Sequence, residues 1–180
     1  MKTKRLTEVI ITTLIGFSWL NSCSSSLSIS PSIPAEKVPD STIARNPNSR
    51  EYAKLEESVH QEINRYRQSR NLPPLTLNAA ISKEARLHSE AMARGKVPFS
   101  HKGFPERITA IAQKIPYRSA AENVAYNQGY SNPEQQAVEG WIKSENHRQN
   151  MEGNFDLTGI GVSKNDRGEY YFTQVFIKRS

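Results

Sequence analysis

Near neutral pH, the side chains of this 180-residue chain best able to move protons or ligate metals are four histidines, one cysteine and 18 carboxylates. Two of the histidines stand in suggestive contexts. His101 lies in Phe99-Ser100-His101-Lys102-Gly103, a loop behind a helix, where functional groups tend to collect. His147 ends a fourth helical pattern in Trp141-Ile142-Lys143-Ser144-Glu145-Asn146-His147-Arg148, and Glu122 lies between the two in Ala121-Glu122-Asn123-Val124-Ala125. Imidazole and carboxylate together suit metal ligation or general acid–base work, and equally a buried polar network that holds loops to a sheet. The other two histidines read more plainly. His60, beside the apolar stripe of the first helix, reads as a solvent-edge residue, and His88, on the apolar face of the second, as a satisfied core histidine. No glycine-rich phosphate loop, Gly-x-Ser-x-Gly elbow or His-Glu-x-x-His pair is present.

A single cysteine excludes an intramolecular disulfide. Its position supplies another use. Lys2, Lys4 and Arg5 form a charged start, Val9 to Leu20 an apolar stretch, and small residues precede Cys23, which together read as an export signal. The apolar stretch is too short, and too interrupted by Thr12 and Thr13, to span a bilayer well. Leu20-Asn21-Ser22-Cys23 resembles a bacterial lipobox. That resemblance implies a signal peptide over residues 1–23, lipid such as palmitate on Cys23, and an extracytoplasmic, membrane-anchored bacterial lipoprotein. With Cys23 so used, no cysteine nucleophile remains. Residues 24–50 are rich in Ser and Pro, with Pro31, Pro34, Pro39 and Pro47, and read as a disordered tether.

The elements that must position the histidines begin near Glu51. Tyr52, Leu55, Val59, Ile63 and Tyr66 recur at helical spacing, and Leu72-Pro73-Pro74 ends the pattern. Asn78 caps a second helix bearing Ile81, Ala85, His88 and Met92, closed by Gly95. Pro105 opens a third with Ile108, Ile111 and Ile115, and Glu122 to Tyr126 reads as a short strand. A fourth helix starts at Asn132-Pro133 with Val138, Trp141 and Ile142 on one face. Thr158–Val162, a turn at Asn165–Gly168 and the β-branched, aromatic run Tyr170–Ile177 predict a terminal hairpin. The fold class is therefore α+β, an α-β-α sandwich of about four helices around a small, mainly antiparallel sheet. Asn123 and Asn150 read as groups that satisfy loop carbonyls and helix ends, and Trp141 as core. The net charge of +6 is spread among carboxylates, which argues against nucleic acid and for a general attraction to an anionic cell envelope.

Five short patterns occur in order: Ser100-His101-x-Gly103, Glu122-Asn123-Val124-Ala125, Trp141-x-x-Ser144-x-x-His147-Arg148-x-Asn150, Gly159-x-Gly161-Val162 and Thr173-Gln174-Val175-Phe176. Together they resemble the CAP superfamily of cysteine-rich secretory, antigen 5 and pathogenesis-related proteins, in its bacterial branch, over residues 51–180. The resemblance implies a surface cleft that in many members holds two His and two Glu and can bind a divalent metal such as zinc. His101 matches the first histidine and Glu122 the first glutamate, while His147 would have to serve as the second histidine. Glu145, Glu139 and Glu106 are open choices for the last carboxylate, with Glu145 named first among them. The resemblance also implies a non-enzymatic module of the envelope that binds a lipid, peptide or envelope-polymer ligand in the cleft. Metal-assisted hydrolysis of peptides or wall polymers, or a purely structural envelope role, are the alternatives.

Overall fold

The computed structural model describes residues 48–180, so the signal segment, Cys23 and the tether up to residue 47 lie outside the described residues. Helix α1 (Ser49–Ser69) opens two residues ahead of Glu51 and buries Tyr52, Val59 and Ile63, as their spacing requires. It stops before the prolines. Asn71 takes a left-handed φ of 58°, and the Leu72 amide turns back onto the Arg67 carbonyl, so an Asn turn ends the helix. A two-residue strand, β1 (Thr76–Leu77), follows and has no signature in the sequence. Helix α2 (Ala79–Ala93) starts where Asn78 Oδ1 accepts from the Ala80 and Ile81 amides, at 2.9 and 3.2 Å.

Helix α3 (Phe104–Ala112) carries Pro105 in its first turn and buries Ile108 and Ile111. Strand β2 (Tyr117–Asn127) is longer than the short strand expected around Glu122, because it pairs along β4 for nearly its whole length. Helix α4 (Pro133–Lys143) ends at Ser144, whose extended backbone (φ −90°, ψ 122°) starts a separate helix α5 (Glu145–Glu152). His147 therefore belongs to a fifth helix and not to the end of the fourth. The closing hairpin is β3 (Leu157–Lys164) and β4 (Tyr170–Arg179), as expected.

The strands form one sheet in the order β1-β3-β4-β2, antiparallel except for the β1–β3 pair. Successive residues of β3 and β4 point to opposite faces, and both faces are covered. Ile160, Val162, Phe172 and Phe176 pack with α1, α4 and Met151 of α5. Leu157, Val175 and Ile177 pack with Ile81, Ala85, Ile108 and Ile111 of α2 and α3. The expected α-β-α sandwich is the observed one.

Side chains finish what the short β1 leaves open along β3. The Ile160 amide donates to Ser82 Oγ at 3.1 Å, and the Val162 amide to the buried Glu56 carboxylate at 3.2 Å. Arg86 reaches around from α2 to hold that carboxylate through Nε at 2.7 and 2.9 Å. Arg67, 1% exposed, donates to the carbonyls of Pro73, Met151 and Gly153 and so ties the Pro73 loop and the end of α5 to α1.

Gly159 and Gly161 let α2 lie directly on β3. A Cβ at Gly161 would fall onto the backbone of Ala85 and Arg86, whereas one at Gly140, mid-α4, would meet nothing within 4 Å. Gly161→Ala should therefore cost ~3 kcal/mol in urea unfolding. Gly140→Ala, removing a helix-interior glycine with no new contact, should add ~0.5–1 kcal/mol in the same assay.

Candidate functional site

β2 is an edge strand, and the polar cluster forms where α3, the His101 loop and α5 meet it. Glu122 points toward α3 with its side chain 2% exposed. Arg107 donates to both of its oxygens, Nε to Oε2 at 2.9 Å and Nη2 to Oε1 at 2.8 Å. The third nitrogen of Arg107, Nη1, donates to the Lys102 carbonyl at 3.0 Å and so fixes the loop next to the carboxylate. His101 Nδ1–H completes the set by donating to Glu122 Oε1 at 3.0 Å, while half of its side chain remains in solvent.

The loop is held from its other end by His88, whose Nε2–H donates to the Ser100 carbonyl at 2.8 Å. His88 is thus the satisfied core histidine its position suggested. Gly103 takes the left-handed φ of 79° that turns the chain from this loop into α3. His60 departs from its solvent-edge reading. It is half-buried, with Nε2 on the Leu75 carbonyl at 2.9 Å, and helps Asn64 hold the segment that enters β1.

On the opposite side of β2, α5 is fastened to the strand. Asn123 Nδ2 donates to the His147 carbonyl at 3.1 Å, and Asn150 Nδ2 to the Glu122 carbonyl at 3.2 Å and Asn123 Oδ1 at 2.9 Å. Trp141 Nε1–H donates to the Val124 carbonyl at 3.0 Å from a fully buried ring. These bonds bear out the structural reading of Asn123, Asn150 and Trp141. His147 Nδ1 lies 2.8 Å from Ser144 Oγ, the residue at which the helix restarts. Burial pushes the His147 imidazole below its ordinary pKa of 6.5, and the His101 charge acts in the same direction across the strand. His88 is also lowered, first by burial and then by Arg107 and His101, with its bond to Ser100 opposing.

Glu145 is not part of this cluster. It is exposed in the first turn of α5 and accepts from Gln149 at 3.4 Å, while Glu139 pairs with Gln135 and Lys143 on α4. Arg107 is the member that the sequence reading missed. Its signal was present, since an arginine one turn before Ile111 lies on the buried stripe of α3 and there needs a buried anion. The arginine also bears on zinc. Both Glu122 oxygens already serve Arg107, and among the described residues no group of three His, Cys, Asp or Glu is arranged to hold a metal. The set His101, Glu122 and His147 with Glu145 therefore does not fit zinc in this arrangement, because the Arg107 guanidinium holds both Glu122 oxygens and Glu145 stands apart.

Among the described residues, five helices around a four-stranded mixed sheet match the fold expected of a CAP domain. The family model described as Cysteine-rich secretory protein family (CAP) matches residues 60–176, and the chain belongs to this family. Among sequence relatives, the uncharacterized protein YkwD of Bacillus subtilis is 34% identical over 149 residues, covering 80% of this chain and 54% of that protein. The chain thus spans about half the length of that relative. Among solved structures, an extracellular protein with an SCP domain from Bacillus anthracis superimposes with a TM-score of 0.60 at 27% identity, over 74% of this chain and 44% of the other. An outer surface protein of Borrelia burgdorferi gives a TM-score of 0.61 at 19% identity, over 71% of this chain and 94% of the other, and shows the shared fold.

Removing Arg107 would strand a buried carboxylate. Arg107→Leu should cost ~3–5 kcal/mol, and adding Glu122→Leu should recover most of it, as read by chemical denaturation. The lowered pKa values of His88 and His147 mean that the unfolded chain takes up protons first on acidification. Stability should be fully present above the ordinary histidine value of 6.5 and fall as pH drops below it, with a shallower fall in His88→Gln. Urea midpoints measured from about pH 7.5 to 5 check the sign.

Proposed function

We propose that the protein is an exported, lipid-anchored CAP module of the bacterial cell envelope that binds a ligand beside β2 without turning it over. The observation that carries this reading is the clamp on Glu122. A carboxylate held by two Arg107 bonds and a histidine is neutralised and fully engaged, so it is poorly placed to take a proton from water or substrate. The same clamp leaves His101 preorganised. With Nδ1–H given to Glu122, the neutral ring presents Nε2 as an acceptor at the edge of a half-exposed side chain, and the protonated ring presents a donor there. A ligand that brings a hydroxyl, amide or ammonium donor matches the neutral ring, which is chemistry common to lipid headgroups, peptides and envelope polymers. A rigid polar patch of this kind favours recognition, because little ordering entropy is spent on binding.

Placement outside the cytoplasm is supported by the signal-like start of the chain and by similarity to proteins described as extracellular and as outer surface proteins. The anchor rests on the lipobox-like Leu20-Asn21-Ser22-Cys23. In cells fed radiolabelled palmitate, the wild type should take up label and sediment with membranes, and Cys23→Ala should do neither. A Cys23→Ala protein that stays in the membrane fraction would overturn the anchor. For the ligand, purified protein should retain wall fragments, peptides or lipids from an envelope extract unchanged, with at least ~10-fold weaker retention in His101→Ala. Release of cleavage products that disappears in His101→Ala would establish a hydrolase instead.

A further inference from the structure

A concavity adjoins the loop that carries His101, but none of the residues of the His101–Glu122 cluster lines it. It has a volume of about 1040 Å³, and it is walled by the C-terminal turn of α2 with the loop behind it, the β3–β4 turn and the first turn of α1. That size is at the upper end for small-molecule pockets, roughly 300–1,000 Å³. One wall is aromatic. Phe99 and Tyr171 line it, and Tyr126 lies between them, edge-to-face with Phe99 at 5.1 Å and stacked on Tyr171 at 5.9 Å. Phe99 is 46% exposed and Tyr126, just outside the lining, 54%, so two rings face water while the third, Tyr171, is 8% exposed and backs them.

The rest of the lining is polar, with Glu90 and Asp166 beside Arg94, Lys164 and Arg167. Arg94 pairs with Glu90 one helical turn away, Arg167 pairs with Glu169 at 2.7 Å, and Asn165 and Asp166 complete the turn between the strands. These pairings decide the ligand class. Both guanidinium groups already hold carboxylates, and Lys164 Nζ is engaged by the Tyr170 hydroxyl at 3.2 Å, so these cations are poorly placed to clamp a phosphate or sulfate. A densely polar wall penalises a purely apolar chain, since its groups would lose water without replacement. Hydroxyl groups both donate and accept, and planar amide, carboxylate and guanidinium groups meet them with paired donors and acceptors. The face of a sugar ring also presents weakly positive C–H groups, which suit the negative face of an aromatic ring.

We propose that this cavity and the exposed Phe99–Tyr126 pair at its rim, backed by Tyr171, form a binding site for an uncharged, hydroxyl-rich glycan chain, distinct from the His101–Glu122 cluster. The sugar rings lie along this pair, and their hydroxyls turn toward the Glu90–Arg94 and Asn165–Asp166 wall.

Isothermal titration of the detergent-solubilised full chain with cellotetraose and chitotetraose, and with dextran sulfate as the anionic comparison, tests this. At least one neutral tetrasaccharide should bind, and more tightly than dextran sulfate does on a per-site basis. Tyr126→Ala should weaken that binding about tenfold by removing one stacking face, whereas Tyr126→Phe, which keeps the face, should stay within about twofold. Asp166→Ala, on the exposed turn, should weaken it about as much through lost hydroxyl contacts. Thermal melting of each variant accompanies the titration, so that Asp166→Ala decides the matter if Tyr126→Ala unfolds. Failure of both neutral saccharides to bind, or binding indifferent to Tyr126→Ala and Asp166→Ala in folded protein, overturns the proposal, as does a preference for dextran sulfate.

Discussion

Gly159 and Gly161 leave no side chain between β3 and α2, so helix and strand backbones lie in direct contact. Much else is placed from that contact. It brings Ser82 Oγ to the Ile160 amide, and Ser89 Oγ to the Gly161 carbonyl at 2.9 Å and Thr173 at 2.8 Å. It brings Arg86 to the edge of β3, where it can hold Glu56. At the far end of α2, the same seating sets the height of His88, which fixes the Ser100 carbonyl and with it the loop that carries His101. A wider helix–sheet spacing would leave these buried groups unpaired, each a costly loss in a dry interior.

The buried charges follow a common logic. Glu56 with Arg86, Glu122 with Arg107, and Arg67 with three carbonyls each sit where a loop or strand edge would otherwise have unpaired backbone groups. Such pairs add little net stability against an apolar replacement, but they are strongly directional, and removing one partner is expensive. They hold loops in single arrangements. For the His101 loop this means a histidine presented at a defined angle beside a carboxylate held by Arg107.

Two surfaces result, and they differ in chemistry. The cluster at β2 is small, polar and built on buried partners, and it offers one exposed imidazole. The cavity at the β3–β4 turn is large, with exposed aromatic faces and paired charges. Phe99 and His101 are two residues apart on the same loop, so the bonds of His88 and Arg107 that order one surface also order the approach to the other.

Much of the fold was legible in the sequence because its causes are local. The stripe Tyr52-Val59-Ile63, the Asn78 cap, Pro105 at the start of α3 and the alternation of the final hairpin each act within a few residues, where helix and strand periods alone decide the outcome. His101 and Glu122 were found by their patterns, and the structure joins them in one hydrogen bond. The rest depended on partners distant in the chain. β1 has two residues and exists only because β3 passes beside it, and β2 reaches its full length only along β4. Ser144 ends one helix and starts another because the bonds of Asn123 and Asn150 pull α5 onto the strand edge. The pairing of Arg107 with Glu122, which turns a candidate metal ligand into a neutralised support for His101, joins residues on α3 and β2. No local period encodes such a pairing, so only the packed tertiary structure could decide it.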